Sequence, residues 1–155
     1  MKLPSAFEMD RQNRTLANSH GFLLMHDPLF LAQKSEPATE ADRQIIVDLM
    51  DALRANLNRC VGMAANMIGE KKRIIVCCNG PMQMIMINPK VTAAAGEYEA
   101  EEGCLSLAGV RKTRRYRKIT VSYQDQAFHA RTGTFEGFTA QIIQHEIDHC
   151  DGILI

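Results

Sequence analysis

Near the end of the chain, Gln144-His145-Glu146-Ile147-Asp148-His149 carries an H-E-x-x-H pattern. On an α-helix, residues four apart lie on one face about a turn apart, so His145 and His149 can present their imidazoles to one divalent metal. Glu146 lies roughly 100° around the helix from His145, where it can reach a water on such a metal rather than the metal itself. The alternative is an amphipathic helix whose polar face happens to hold two histidines. Two ligands do not complete a catalytic centre, which usually combines three protein ligands with one open position. The ligand types left after His149 are Cys150 and Asp151, and Cys150 points about 100° away on a continuing helix. The third ligand is therefore expected upstream, and Cys104, within Glu102-Gly103-Cys104-Leu105-Ser106, is the thiol we nominate. A thiolate there is softer than a third histidine and cancels one of the two metal charges. For any one cysteine, burial as a small apolar residue is the commoner role.

The elements that must hold these residues fit one compact domain, since 155 residues supply a single core. Eighteen Lys plus Arg balance eighteen Asp plus Glu, which gives no global charge for nucleic acid or membrane surfaces. The chain has no apolar run long enough to span a bilayer, and the charged N-terminus is not a secretory signal. Five cysteines, an odd number, do not suggest a disulfide framework, so a reducing cytoplasm is the expected setting.

Residues 1–20 are polar and aperiodic, and they are expected to be loosely ordered or draped on the surface. Phe22-Leu23-Leu24-Met25 is a short apolar run stopped at Asp27-Pro28, and Phe30-Leu31-Ala32 reads as a brief strand or turn. Thr39 is an expected N-cap for a helix over 40–58, with Ile46, Leu49, Met50, Leu53 and Leu57 as its buried stripe. Small residues between Gly62 and Gly69 suit either a close backbone approach or a tight turn. Strands are expected over 73–77 and 84–87, the second stopped by Asn88-Pro89. Cys77 and Cys78 should sit at the end of the first as ordinary small residues. The basic run 111–118 reads as a solvated hairpin edge rather than a nucleic-acid patch. Short strands over 119–123, 127–130 and 133–135 then lead into a final helix over 137–150, and Gly152 to Ile155 should end as a strand.

Set side by side, Gly62-Met63-Ala64-Ala65, Glu102-Gly103-Cys104-Leu105-Ser106 and Gln144-His145-Glu146-Ile147-Asp148-His149 resemble the three signature motifs of the peptide deformylases. The second and third match the family patterns E-G-C-L-S and Q-H-E-x-D-H at every defined position. The resemblance covers about residues 28–155. It implies an α+β fold, with a central H-E-x-x-H helix packed against antiparallel β-sheets and an N-terminal helix. It also implies hydrolysis of the N-formyl group from the formyl-methionine of nascent polypeptides at the ribosome. One divalent metal per chain is expected, Fe2+ in the cell, with Zn2+, Ni2+ or Co2+ as substitutes. Carried over by position, Cys104, His145 and His149 are metal ligands and Glu146 is the general acid/base. The Leu105 amide is an oxyanion donor. Arg111 and the Gly62 backbone hold the peptide, and Val61, Phe138 and Ile142 line the methionine pocket.

The first motif departs from the family pattern G-x-G-x-A-A-x-Q. Cys60 stands at its first glycine, and Met67 stands where the family has a glutamine that donates to the oxyanion. A thioether donates no hydrogen bond. Two alternatives follow from that loss. One is a weakly active paralogue, or one with another acyl-amine substrate; the other is a non-catalytic peptide-binding module that keeps the metal. Retention of Glu146 argues against the second, since a structural site needs no general base.

Overall fold

The computed structural model describes residues 23–155 and, before them, the backbone of Leu16–Ala17, which forms a strand (β1) paired with Leu23–Leu24 (β2). The expectation of a loosely ordered segment over 1–20 otherwise lies outside the described residues. Where the sequence suggests a strand or turn, Pro28–Leu31 is a short helix (α1). Asp27 caps it by accepting the Leu29 amide at 3.0 Å, and Pro28 occupies a first-turn position that needs no amide hydrogen.

Thr39 caps the next helix as expected. Its hydroxyl accepts from Ala41 while Asp42 accepts the Thr39 amide, and a 3-10 turn, Glu40–Asp42, leads into Arg43–Ala55 (α2). Ile46, Leu49, Ala52 and Leu53 form the buried face. Leu57 does not join it: the helix ends at Ala55 and Leu57 is exposed.

One antiparallel sheet in the order β3-β4-β5-β6-β7 carries the rest, made of Gly62–Ala64 (β3), Ile74–Asn79 (β4), Met82–Cys104 (β5), Leu107–Gln124 (β6) and Ala130–Glu136 (β7). Strand alternation divides the core in two. Ile74 and Val76 pack with α2 residues on one face, and Ile75 and Cys77 pack on the other with Ile142, Ile143 and Ile147 of Gly137–Cys150 (α3). The helix bearing the H-E-x-x-H motif therefore lies on one face of the sheet, at the expected limits.

Three strand expectations are corrected. β5 does not stop at Asn88-Pro89; it runs through them with a register shift, because Asn88 adopts φ 52° and absorbs an extra residue as a bulge. The Asn88 amide then exchanges hydrogen bonds with Ala38 at 2.8 and 3.0 Å and donates to Gln124 at 2.9 Å. The basic run does lie on a hairpin edge: β7 pairs with β6 only over 118–124, so Arg111 to Arg117 have a strand partner on the β5 side alone. Its cations face the acidic stripe of β5, as in Arg114 with Glu97 and Lys112 with Glu99. Residues 127–130 do not form a strand of their own: a turn with Phe128 at φ 62° precedes β7. The tail after Gly152 also forms no strand.

Candidate metal centre

Two local structures bring the candidate ligands together. α3 presents His145 and His149 from adjacent turns, and β5 ends at Cys104, where Leu105–Ser106 turn the chain into β6. All three are buried, at 1% exposure for Cys104 and 0% for each histidine. His149 Nε2 lies 3.2 Å from His145 Nε2 and 3.2 Å from Cys104 Sγ, and one ligand atom from each residue falls within 4.8 Å of the others.

His145 Nδ1 lies 2.7 Å from Glu102 Oε1. An ionised carboxylate only accepts, so Nδ1 carries the proton and Nε2 turns a lone pair toward its neighbours. Burial holds the His149 imidazole below its ordinary pKa, which keeps it in the neutral, ligating form. The Ser106 amide donates to Cys104 Sγ at 3.4 Å. Three electron-pair donors thus converge. A tetrahedral ion with metal–nitrogen bonds of about 2.0–2.1 Å spaces two ring nitrogens by roughly 3.3 Å, close to the separation found. The donor set fits a divalent metal. The other buried thiols do not compete: desolvation pushes Cys60, Cys77 and Cys150 each up to about 12, so they remain protonated.

Sequence reasoning missed the charges behind this cluster. Glu102, fully buried, accepts from Arg115 Nε at 2.9 Å and Nη2 at 2.7 Å, from Gln141 at 2.9 Å and from His145. Arg115 also donates to Asp148 at 2.7 Å. Desolvation alone would raise the Glu102 carboxyl, but hydrogen bonds from His145 and Arg115 outweigh it and bring it down to about 2. The E-G-C motif could have pointed to Glu102, whereas no local signal separates Arg115 from the solvated cations around it. Gln144 locks α3 to β6 by accepting the Tyr116 amide and donating to the Tyr116 carbonyl, both at 2.9 Å.

Arg115 yields a prediction. Arg115→Ala leaves a buried carboxylate uncompensated and should cost about 3–5 kcal/mol in urea or guanidinium unfolding. Arg131→Ala, which removes an exposed partner of Asp125, should leave the midpoint almost unmoved. Equal effects would show that the buried pair has no special weight.

Glu146 is 0% exposed and faces β3. A Cβ built on Gly62 would lie 2.9 Å from Glu146 Oε2 and 2.7 Å from Ile142 Cγ2, so the close-approach reading of Gly62 holds. Val61 is half-buried against the core that includes Ile142, while Phe138, one turn before Ile142, is 54% exposed. Arg111 is half-buried, and its guanidinium reaches the Ala108 carbonyl at 3.1 Å. Leu105 is buried in the turn beside Cys104.

Met67 lies in the 3-10 turn Ala65–Ile68, buried, with its sulfur accepting the Ala64 amide at 3.4 Å. Its neighbour Asn66 donates its side-chain amide to the His149 carbonyl at 2.9 Å. The Cys60 thiol donates to the Gly62 carbonyl at 2.7 Å. A surface groove of about 990 Å³ runs past the Gln144, Ile147 and Asp148 face of α3 and includes none of the candidate ligands. No helix among the described residues is long and apolar enough to cross a membrane.

Residues 20–155 match the family model of polypeptide deformylases. A peptide deformylase of Clostridium beijerinckii is 56% identical over 132 residues, which make up 85% of this chain and 97% of that protein. Among solved structures, the peptide deformylase of Thermus thermophilus superposes with a TM-score of 0.74 at 32% identity, covering 84% of this chain and 80% of that one. The enzyme of the Vibrio parahaemolyticus bacteriophage VP16T, solved in complex with actinonin, gives 0.73 at 32% identity, covering 81% and 93%.

Proposed function

This chain belongs to the polypeptide deformylase family, metal-dependent hydrolases that remove the N-formyl group from N-formylmethionyl peptides, and we propose that Cys104, His145, His149 and Glu146 perform that reaction here. The convergence of three buried lone-pair donors beside a buried carboxylate carries the reading.

Cys104, His145 and His149 would hold one divalent metal, Fe2+ in the cell, which when bound would supply Lewis-acid polarisation of the formyl carbonyl and a more acidic water. Glu146, one residue from His145 and walled by β3, takes the proton from the attacking water and delivers it to the departing methionine amine. As the carbon becomes tetrahedral, the Leu105 amide, next to Cys104 at the end of β5, donates to the developing oxyanion. The Gly62 backbone and Arg111 hold the peptide main chain. Val61, Phe138 and Ile142 form the wall for the methionine side chain, supported by the packing of Val61 with Ile142 and by the partial exposure of Phe138. Nascent chains leaving the ribosome in the cytoplasm are the working substrates, and the chain acts as a single catalytic domain.

The ligand assignment is tested on Cys104→Ser, since a neutral hydroxyl is a poorer ligand than a thiolate. The parent should bind one zinc per chain, and the variant should lose it to a chelator at least tenfold more readily. Equal retention would remove Cys104 from the site.

A further inference from the structure

We propose that Asn66 is the positioning residue for His149: one ordered water joins the His149 Nδ1–H to the Asn66 side-chain oxygen and fixes the tautomer that frees Nε2 for the metal. The inference rests on the metal reading above and concerns a residue which that reading leaves without a role.

His149 Nε2 is the atom that meets both Cys104 Sγ and His145 Nε2, each at 3.2 Å. A neutral imidazole that ligates through Nε2 carries its proton on Nδ1, and ligating histidines almost always donate that proton to an oriented acceptor. For His145 the acceptor is Glu102. The His149 Nδ1 atom, in contrast, is buried and has no hydrogen-bond partner among the described residues.

Asn66 supplies what is missing. It is 1% exposed and already touches His149, since its Nδ2 donates to the His149 carbonyl at 2.9 Å. That bond fixes which end of the amide is nitrogen, so the other end is an acceptor, and Oδ1 is also buried without a partner among the described residues. A buried polar atom left unsatisfied costs about 1–3 kcal/mol. Here a donor and an acceptor of complementary type lie on two residues in contact. A water between them gives each a partner and gains at least two hydrogen bonds itself, the number a buried water requires.

Capping α3 does not by itself explain Asn66. The His149 carbonyl already accepts the Gly152 amide at 3.1 Å, so the helix end is satisfied without the side chain. An apolar residue would fill the same volume. A polar one is needed if the oxygen has a task.

The test uses zinc-loaded protein with nitrogen-15 in its histidines, compared across the parent, Asn66→Ala and Asn66→Asp. In the parent, at one zinc per chain, the His145 and His149 Nδ1–H signals should both be seen and protected from solvent exchange. In Asn66→Ala the His149 signal should shift and exchange faster while that of His145 stays, and the zinc Kd should rise about 10–100-fold. Asn66→Asp loses the bond to the carbonyl but keeps an acceptor, so it should retain the His149 signal and bind zinc within a few-fold of the parent. A capping role predicts the opposite order, with aspartate no better than alanine, and that order would overturn the proposal. So would an unchanged His149 signal and zinc Kd in Asn66→Ala. A parent that binds no zinc would instead overturn the metal reading, and this inference with it.

Discussion

Glu146→Gln is expected to lower kcat about 10²–10⁴-fold, the usual weight of a positioned general acid–base, with metal still at one per chain. Glutamine matches glutamate in shape, so it keeps the packing that leaves Glu146 0% exposed and close to Gly62. It cannot take the proton from water or return it to the amine. The loss should fall in kcat rather than in KM, because the carboxylate acts on the proton in transit and not on the bound peptide. Kinetics with a formyl-Met peptide and elemental analysis of the same samples decide the matter. A loss under tenfold with metal bound would mean that another group moves the proton.

Met67→Gln is expected to raise kcat about 10²–10³-fold, the typical weight of one oxyanion-hole donor. The Met67 thioether has no hydrogen to offer and is itself an acceptor, for the Ala64 amide. The Asn66 side-chain NH2 gives one of its two hydrogens to the His149 carbonyl, which turns that group toward α3. Glutamine has nearly the same length as methionine, and the 3-10 turn Ala65–Ile68 that carries it is closed by backbone bonds independent of the side chain. The variant is compared with the parent at equal metal content. An unchanged kcat would show that the Leu105 amide and the metal already stabilise the oxyanion fully.

The candidate site is largely legible in the sequence because its key spacings are local. His145 and His149 sit four apart on one helix, and the helix limits over 137–150 are those found. Cys104 requires its motif, because nothing about a single cysteine announces a partner 45 residues away. The charged support behind the ligands is not legible. Arg115 stands within a run of cations, and only the meeting of β6 with α3 turns that one side chain inward, onto Glu102 and Asp148, to 3% exposure. The strand errors have a similar origin. Proline normally ends a strand, yet β5 passes Pro89 because Asn88 takes a left-handed conformation and offsets the bulge with three side-chain hydrogen bonds to Ala38 and Gln124. Asp27-Pro28 reads as a stop signal but serves as a helix start, since the same two residues cap and open α1. Tertiary partners decide such cases, and a local pattern does not contain them.

We propose that this chain, with Met67 in its first motif, deformylates peptides through Glu146 and the Cys104, His145 and His149 cluster. The direct measurement is formate release from a formyl-Met-Ala-Ser peptide by protein loaded anaerobically with Fe2+, with Glu146→Ala run alongside. Steady turnover in the parent that disappears in Glu146→Ala is the predicted result. No formate from a parent carrying one iron per chain would contradict the claim.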